Sequence, residues 1–244
     1  MRTKSSMRGD LQALSVTQII DEFKRLGHPK SLTGMARYGI KTDKAFGVSV
    51  PKLRQIARKI GRSHNLAKQL WQTGIHDARL LAGMIDDPQK VTEDQMEAWA
   101  AGFDSWDVVD GSCGNLFDKT PYAIQKAKEW AERREEYVKR AGFVLMAELA
   151  VHDKKLGDNE FMKFLPLIVR ESSDNRNFVK KAVNWALRQI GKRNLTLNRA
   201  AIRTCKDMQK AASSSSSKWI AVDALRELTS PQVKERLRKL AKPN

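Results

Sequence analysis

The chain has 244 residues and carries 45 lysines and arginines against 28 aspartates and glutamates, a formal charge of +17. Its length allows one large domain or a repeat array with a substantial buried core, and a charge of that size selects polyanions as partners, nucleic acid ahead of an anionic membrane surface. No apolar run approaches the roughly 20 residues of a membrane span, and no lipidation signal is present to support membrane binding.

Taken in chain order, the opening "MRTKSSMRGDLQALS" lacks an apolar core, so it reads as no signal peptide, and residues 1–14 are expected to be a disordered tail. Apolar residues then recur at helical spacing in short segments broken by Gly, Pro, Asn and Ser. The spacing predicts helices near 15–26, 51–61, 64–73, 76–86, 92–102, 105–117, 121–131, 134–152, 159–171, 176–191, 197–211, 217–228 and 230–241. Residues 28–50 read as the least helical stretch, and "AASSSSSK" (211–218) reads as a flexible loop between helices. The last segment, 230–244, is a basic helix and tail; the whole chain is taken as one domain. Strand signals are almost absent.

Several of these helices share a pattern. "IHDARLLAGMI", "WDVVDGSCGNLF", "YVKRAGFVLMAE", "FVKKAVNWALRQ" and "WIAVDALREL" align without gaps, placing Arg79, Asp110, Arg140, Lys181 and Val222 at one shared position. The steps are 31, 30, 41 and 41 residues. Helix pairs recurring at roughly 30 to 45 residues predict an α-solenoid of the HEAT or armadillo kind, in which each pair buries its apolar face only by stacking on the next. Such arrays curve, and their inner helices line a concave surface, expected here to be basic. An irregular helical bundle is the competing fold.

The shared position carries the chemistry. In the helix 176–191, Val179, Ala182, Val183, Ala186, Leu187 and Ile190 form one apolar arc, and Trp185 lies roughly 130° from its centre. Lys181 and Arg188 sit one turn either side of it. An indole between two cations suits stacking on a base or sugar beside phosphates, although a tryptophan at helical spacing ordinarily packs in a core. Arg140 interrupts a helix that is apolar nearly all round, so it either meets a buried acid or reaches out of the inner surface. Arg79, Arg140, Lys181 and Arg188 together predict a stripe that follows a phosphate backbone; a solvated, unspecific basic face is the alternative.

Asp110 breaks that stripe. It follows Trp106 by one turn, with Ser105 expected to cap the helix and Asp104 as a rival cap. A carboxylate among phosphate-binding cations weakens binding, so it calls for a positive charge on the bound partner. Cleavage of an N-glycosidic bond creates one on the sugar. The structural alternative pairs Asp110 with Arg140 or Arg79. Asp107 sits one position off the shared face and is assigned to the helix N-terminus, with a catalytic role as runner-up.

These residues resemble a known family. "SWDVVD", "YVKRAGFVLM" and "FVKKAVNWALRQIGKRN", with "MARYGI" and "FGVSVPKLRQIAR" nearer the start, are similar to the DNA alkylation repair family, the AlkD-like glycosylases built from HEAT-like repeats. The resemblance spans roughly residues 30 to 230. It implies excision of N3- or N7-alkylated purines from double-stranded DNA, with Asp110 as the catalytic acid, Trp106 and Trp185 as its aromatic partners, and Arg140 and Arg188 as cleft cations. It also implies work at an open surface rather than in a deep base-flipping pocket.

A purine already cationic is a good leaving group, so a carboxylate that steadies the sugar and directs water suffices. No lysine shares the Trp106–Asp110 face, which disfavours a covalent lyase route, and no cofactor is expected. The remaining rival is a non-catalytic HEAT-repeat protein that binds nucleic acid. His28, His64, His76 and His152 lack ligand spacing and are assigned to the surface or to caps, so no metal is expected. Trp71, Trp99, Trp130 and Trp219 are assigned to packing, and Tyr38 and Phe46 are weaker DNA-contact candidates. Cys113 and Cys205 also lack ligand spacing, and two cysteines in a chain this long point to a reducing compartment, the cytosol or a nucleus. A monomer is expected.

Overall fold

A computed structural model describes residues 14–211 and 214–241; the expected N-terminal tail lies almost wholly outside the described residues. The described residues form helices and no strand. The chain divides into two compact units, with the division at Leu116 and Phe117.

The N-terminal unit contains α1 (Val16–Leu26), α2 (Pro29–Arg37), α3 (Val50–Ile60), α4 (His64–Gln72), α5 (His76–Ile85), α6 (Glu93–Ala101) and α7 (Trp106–Asn115). Ser15 opens α1 through a reciprocal capping box with Gln18. Helix α2 falls inside the stretch that reads as least helical. Pro29 stands in its first turn, the His28 ring accepts the Lys30 N–H, and none of its residues is buried. Its apolar stripe is short, chiefly Leu32 and Met35, and only half-buried, so the periodic signal is weak, while its start is fixed by cap and proline. Helix α5 packs on α3, α4 and α7. Helices α4 and α6 meet through Trp71 and Trp99, whose rings stack at 4.1 Å and 2°. Two rows result, α3–α5–α7 and α4–α6. Buried Asp77 ties the segment after α2 to α5 by accepting the Phe46 and Val48 N–H groups, each at 2.7 Å.

The C-terminal unit begins with a 3-10 turn (Phe117–Lys119) and continues with α8 (Ala123–Ala131), α9 (Glu136–His152), α10 (Asp158–Glu171), α11 (Asn177–Gly191), α12 (Leu195–Ala211), α13 (Ser215–Leu228) and α14 (Pro231–Leu240). Here α9 packs on α11 and α11 on α13, while α8 packs on α10 and α10 on α12. That is the two-row stacking of HEAT-like helix pairs. Every residue at the shared sequence position falls in the row α5, α7 of the first unit or α9, α11, α13 of the second. Helices α8 and α9 approach so closely at Gly142 that a methyl group added there would lie 2.3 Å from the Ala131 backbone nitrogen.

The serine run is a correction. Ser214 caps α13 by accepting the Ser217 N–H, and Ser215 to Ser217 form the first turn of that helix. Ser216 and Ser217 are buried; the Ser216 hydroxyl donates to the Asp174 carbonyl at 2.8 Å, and Ser217 meets the Ser172 hydroxyl at 3.1 Å. The hydroxyls find partners across the repeat, which polar composition alone does not reveal.

Candidate nucleic-acid interface

Helix α7 starts at Trp106 after a bend that commits most of its polar groups. Ser105 occupies the N-cap position, but its hydroxyl makes no bond to the helix backbone. It donates instead to the Asp107 carboxylate, which also accepts the Val108 N–H at 3.0 Å and lies 2.9 Å from the His76 ring. Burial works to raise the Asp107 carboxyl, but the His76 ring and the Ser105 hydroxyl outweigh it and hold the group below its ordinary value. Asp107 is therefore an anion fixed to structure at the helix N-terminus. His76 is buried, contrary to its assignment to surface or caps.

Trp106 is half-buried, and its indole N–H donates to the Tyr38 carbonyl at 3.0 Å. The Tyr38 side chain is largely exposed, whereas Phe46 packs toward Phe23 with ring centroids 6.4 Å apart. Asp110, one turn along α7, is also half-buried. Val109 and Cys113 beneath it are fully buried, fixing which way the helix faces.

Arg79 departs from the expected stripe. Its guanidinium donates to the Gly102 carbonyl at 3.1 Å, pairs with Asp104 at 3.3 Å and lies 5.2 Å from the Trp71 ring centre. Only 17% of the side chain is exposed. Its charge and its planar face are both used in joining α5 to the α6–α7 turn.

In the C-terminal unit, Arg140 is buried and donates to the Phe178 carbonyl at 2.7 Å, linking α9 to the first turn of α11. It does not project as a solvated cation. Lys181 is exposed and has no carboxylate partner among the described residues. Trp185 is half-buried, with no hydrogen bond or ring partner among the described residues. Arg188 does have partners, a second correction to the stripe: it pairs with Glu227 and, at 3.7 Å, with Asp223, both from α13. Lys192 binds Glu227 at 2.7 Å, and the Asn184 amide donates to Asp223 at 2.8 Å. Burial tends to raise the Glu227 carboxyl, but Lys192 and Arg188 hold it below its ordinary value. Beside Trp185, then, the arginine charge is largely balanced, and Lys181 is the uncompensated cation of the pair.

Comparison with known proteins decides the family. The family model described as DNA alkylation repair enzyme matches residues 19–228. The chain belongs to that family. DNA alkylation repair enzymes thus include this HEAT-like array, and the membership places its work in DNA repair. An uncharacterized protein of Listeria innocua is 25% identical over 213 residues, covering 86% of this chain and 88% of its own. One from Listeria monocytogenes is 26% identical over 151 residues, covering 61% and 62%. A solved structure matches with a TM-score of 0.72 at 22% identity, over 79% of this chain and 83% of that one. It is described as a new family of proteins related to the HEAT-like repeat DNA glycosylases with affinity for branched DNA structures. At that identity the likeness establishes the fold.

Within this member of the DNA alkylation repair enzymes, the fold also assembles groups that are scattered in sequence. Asp118, Glu148 and His152 bring ligand atoms within 4.8 Å of one another. His152 lies 2.5 Å from Asp118, and Lys119 pairs with the second Asp118 oxygen at 2.7 Å, so each oxygen of the buried carboxylate has a partner from the chain itself. The other histidines also have structural work: His64 pairs with buried Asp86 at 2.7 Å, and His28 caps α2. Burial pushes the Cys205 thiol up to about 12, which leaves it unreactive. Trp71, Trp99 and Trp130 are core residues as expected, but Trp219 is 41% exposed with the Lys180 ammonium 5.3 Å from its ring centre. Sequence reasoning missed that pair. The signal was available three residues before Val222 in the shared frame, where an aromatic recurs.

Proposed function

We propose that the protein is a monofunctional DNA glycosylase that excises N3- or N7-alkylated purines from double-stranded DNA. The observation that carries this reading is the placement of Asp110: a half-buried carboxylate, one helical turn from a half-buried indole that is itself fixed by a bond to the Tyr38 carbonyl. Alkylation leaves the purine cationic, so the glycosidic bond breaks with little acid assistance and positive charge develops on the sugar. Asp110 stabilises that charge and orients water toward the anomeric carbon. Trp106, one turn from Asp110 on the same helix, contacts the electron-poor sugar; in the C-terminal unit, taken by itself, Trp185 is a DNA-stacking ring and Lys181 holds backbone phosphate. Arg79, Arg140 and Arg188 set helix positions, and the proposed phosphate contact rests on Lys181. Asp107, committed to His76 and Ser105, is structural. No step calls for a metal or a covalent lysine adduct. The protein acts as a monomer in the compartment that holds the DNA, the bacterial cytoplasm or a nucleus.

The test is release of 7-methylguanine from methylated duplex DNA. A carboxylate about 4 Å from a developing cation at an effective dielectric near 20 contributes about 4 kcal/mol, or roughly 10³ in rate. Asp110→Asn should therefore bind duplex as wild type does and release base roughly a thousandfold more slowly. Unchanged release by the variant removes Asp110 from the chemistry.

A second reading has its own support. The solved structure described as having affinity for branched DNA structures shares this fold, and under this reading the present chain binds DNA without releasing base. Wild type that releases no base yet binds duplex, with Lys181→Ala reducing the salt dependence, would decide for this reading.

A further inference from the structure

The shared frame that places Arg140, Lys181 and Val222 also places Tyr137, Phe178 and Trp219, each three residues earlier, near the starts of α9, α11 and α13. An aromatic side chain thus recurs at one height on three successive helices of the same row. The first two rings cover one another, with centroids 5.7 Å apart and planes 29° from parallel, and both residues are half-buried. The third is different. Trp219 is 41% exposed, and Val222, one turn along the same face of α13, is 49% exposed. Lys180 extends its ammonium over the Trp219 ring at 5.3 Å, and exposed Lys181 and Lys218 are the chain neighbours of Lys180 and Trp219, all three without a carboxylate partner among the described residues.

We propose that Trp219 with Lys180 forms a stacking platform for an unpaired nucleobase, a contact separate from the Asp110 site. Two features fix the choice of occupant. An exposed aromatic and apolar step attracts a flat apolar partner, and the uncompensated Lys180 ammonium over it, with two more uncompensated lysines adjacent in the chain, requires that partner to be an anion. Single-stranded nucleic acid satisfies both, because every base presents a π-face and every linkage a phosphate. A paired base within duplex has no free face to offer. The protein therefore prefers DNA with an unpaired segment beside the duplex. This inference rests on the DNA-binding part of the proposed function, through the neighbouring Lys181, and not on bond cleavage.

Fluorescence anisotropy on a blunt duplex, and on the same duplex with a short single-stranded extension, tests it. Wild type should bind the extended duplex more tightly. Trp219→Ala should weaken the extended complex about 5- to 150-fold, the range of a lost base–aromatic stack, while changing the blunt complex less than about twofold. Trp219→Phe should keep most of the gain, which separates stacking from general damage to the fold, and Lys180→Ala should lose part of it. Equal affinity of wild type and Trp219→Ala for the extended duplex would overturn the platform. So would an equal loss on both substrates, or displacement of DNA by polyglutamate as effectively as by an oligonucleotide, the sign of an acidic protein partner. Asp110→Asn should retain the preference, so loss of the glycosylase reading leaves this one standing; a wild type that binds neither DNA ends both.

Discussion

Replacing Gly142 with alanine sets two effects against each other, and the structure decides the sign. Helix propensity alone favours alanine by about 1 kcal/mol, because glycine loses more backbone freedom on folding. At Gly142 the added methyl would meet the Ala131 nitrogen at 2.3 Å, the Ala131 Cα at 2.8 Å and the Trp130 carbonyl carbon at 2.8 Å. Ordinary contact needs about 3.5 Å, and all three atoms are backbone, so no side-chain rotation can make room. Helices α8 and α9 must part by about 1 Å. Overpacking of this kind costs about 1–3 kcal/mol, and the rigid surroundings place it at the upper end. The net loss is then about 2 kcal/mol, a fall in Tm of about 4–8 °C for a chain of this size. Thermal unfolding followed by far-UV circular dichroism measures it. Gly34, inside α2, has nothing within 4 Å of an added methyl, so Gly34→Ala should raise stability by up to about 1 kcal/mol. A Gly142→Ala protein as stable as wild type would refute the claim that this glycine sets the α8–α9 spacing.

Other perturbations bear on the site. Asp107→Asn should lower Tm by about 4–8 °C through loss of its charged bonds, about 2 kcal/mol, while leaving base release within about threefold; a collapse of release in a folded variant would make Asp107 the catalytic anion. Because the folded-state pKa of Asp107 lies below its ordinary 3.8, its contribution is complete above that pH and is lost as pH falls through the folded value. The stability gap between wild type and Asp107→Asn should therefore be full at neutral pH and close in strong acid, as read by urea unfolding across pH. Glu227→Gln removes the anion that balances Arg188, so duplex affinity should rise severalfold with a steeper salt dependence; unchanged affinity would mean that Arg188 faces no phosphate even when released. Lys181→Ala should weaken binding and reduce the slope of log K against log salt by about 0.9, whereas an unaltered slope would take Lys181 off the backbone.

The sequence made the row of helices legible because burial repeats. Arg79 and Asp110 in the first unit, and Arg140, Lys181 and Val222 in the second, share a position because within each unit the helices of the row turn the same face to their neighbours, and that periodicity survives divergence of the residues themselves. The fate of each charge was not legible. Arg79 meets Asp104, Arg188 meets Glu227, and Arg140 meets the Phe178 carbonyl, partners 25 to 39 residues away that only the stacking brings within reach. A solenoid necessarily works this way: contacts between neighbouring repeats always lie about one repeat apart in sequence, so a cation read in its own helix looks free when the adjoining repeat has already neutralised it. The same logic identifies the groups left for a ligand. At the row's C-terminal end, α13 is followed by α14, whose start does not carry the aromatic of the preceding three, and Trp219 keeps an open surface under Lys180. Function in such a protein belongs to side chains on the row's shared face that the neighbouring repeat leaves open, and in the C-terminal unit these are Lys181 at the shared position, Trp185 one turn after it, and Trp219, whose ring stays exposed beneath Lys180.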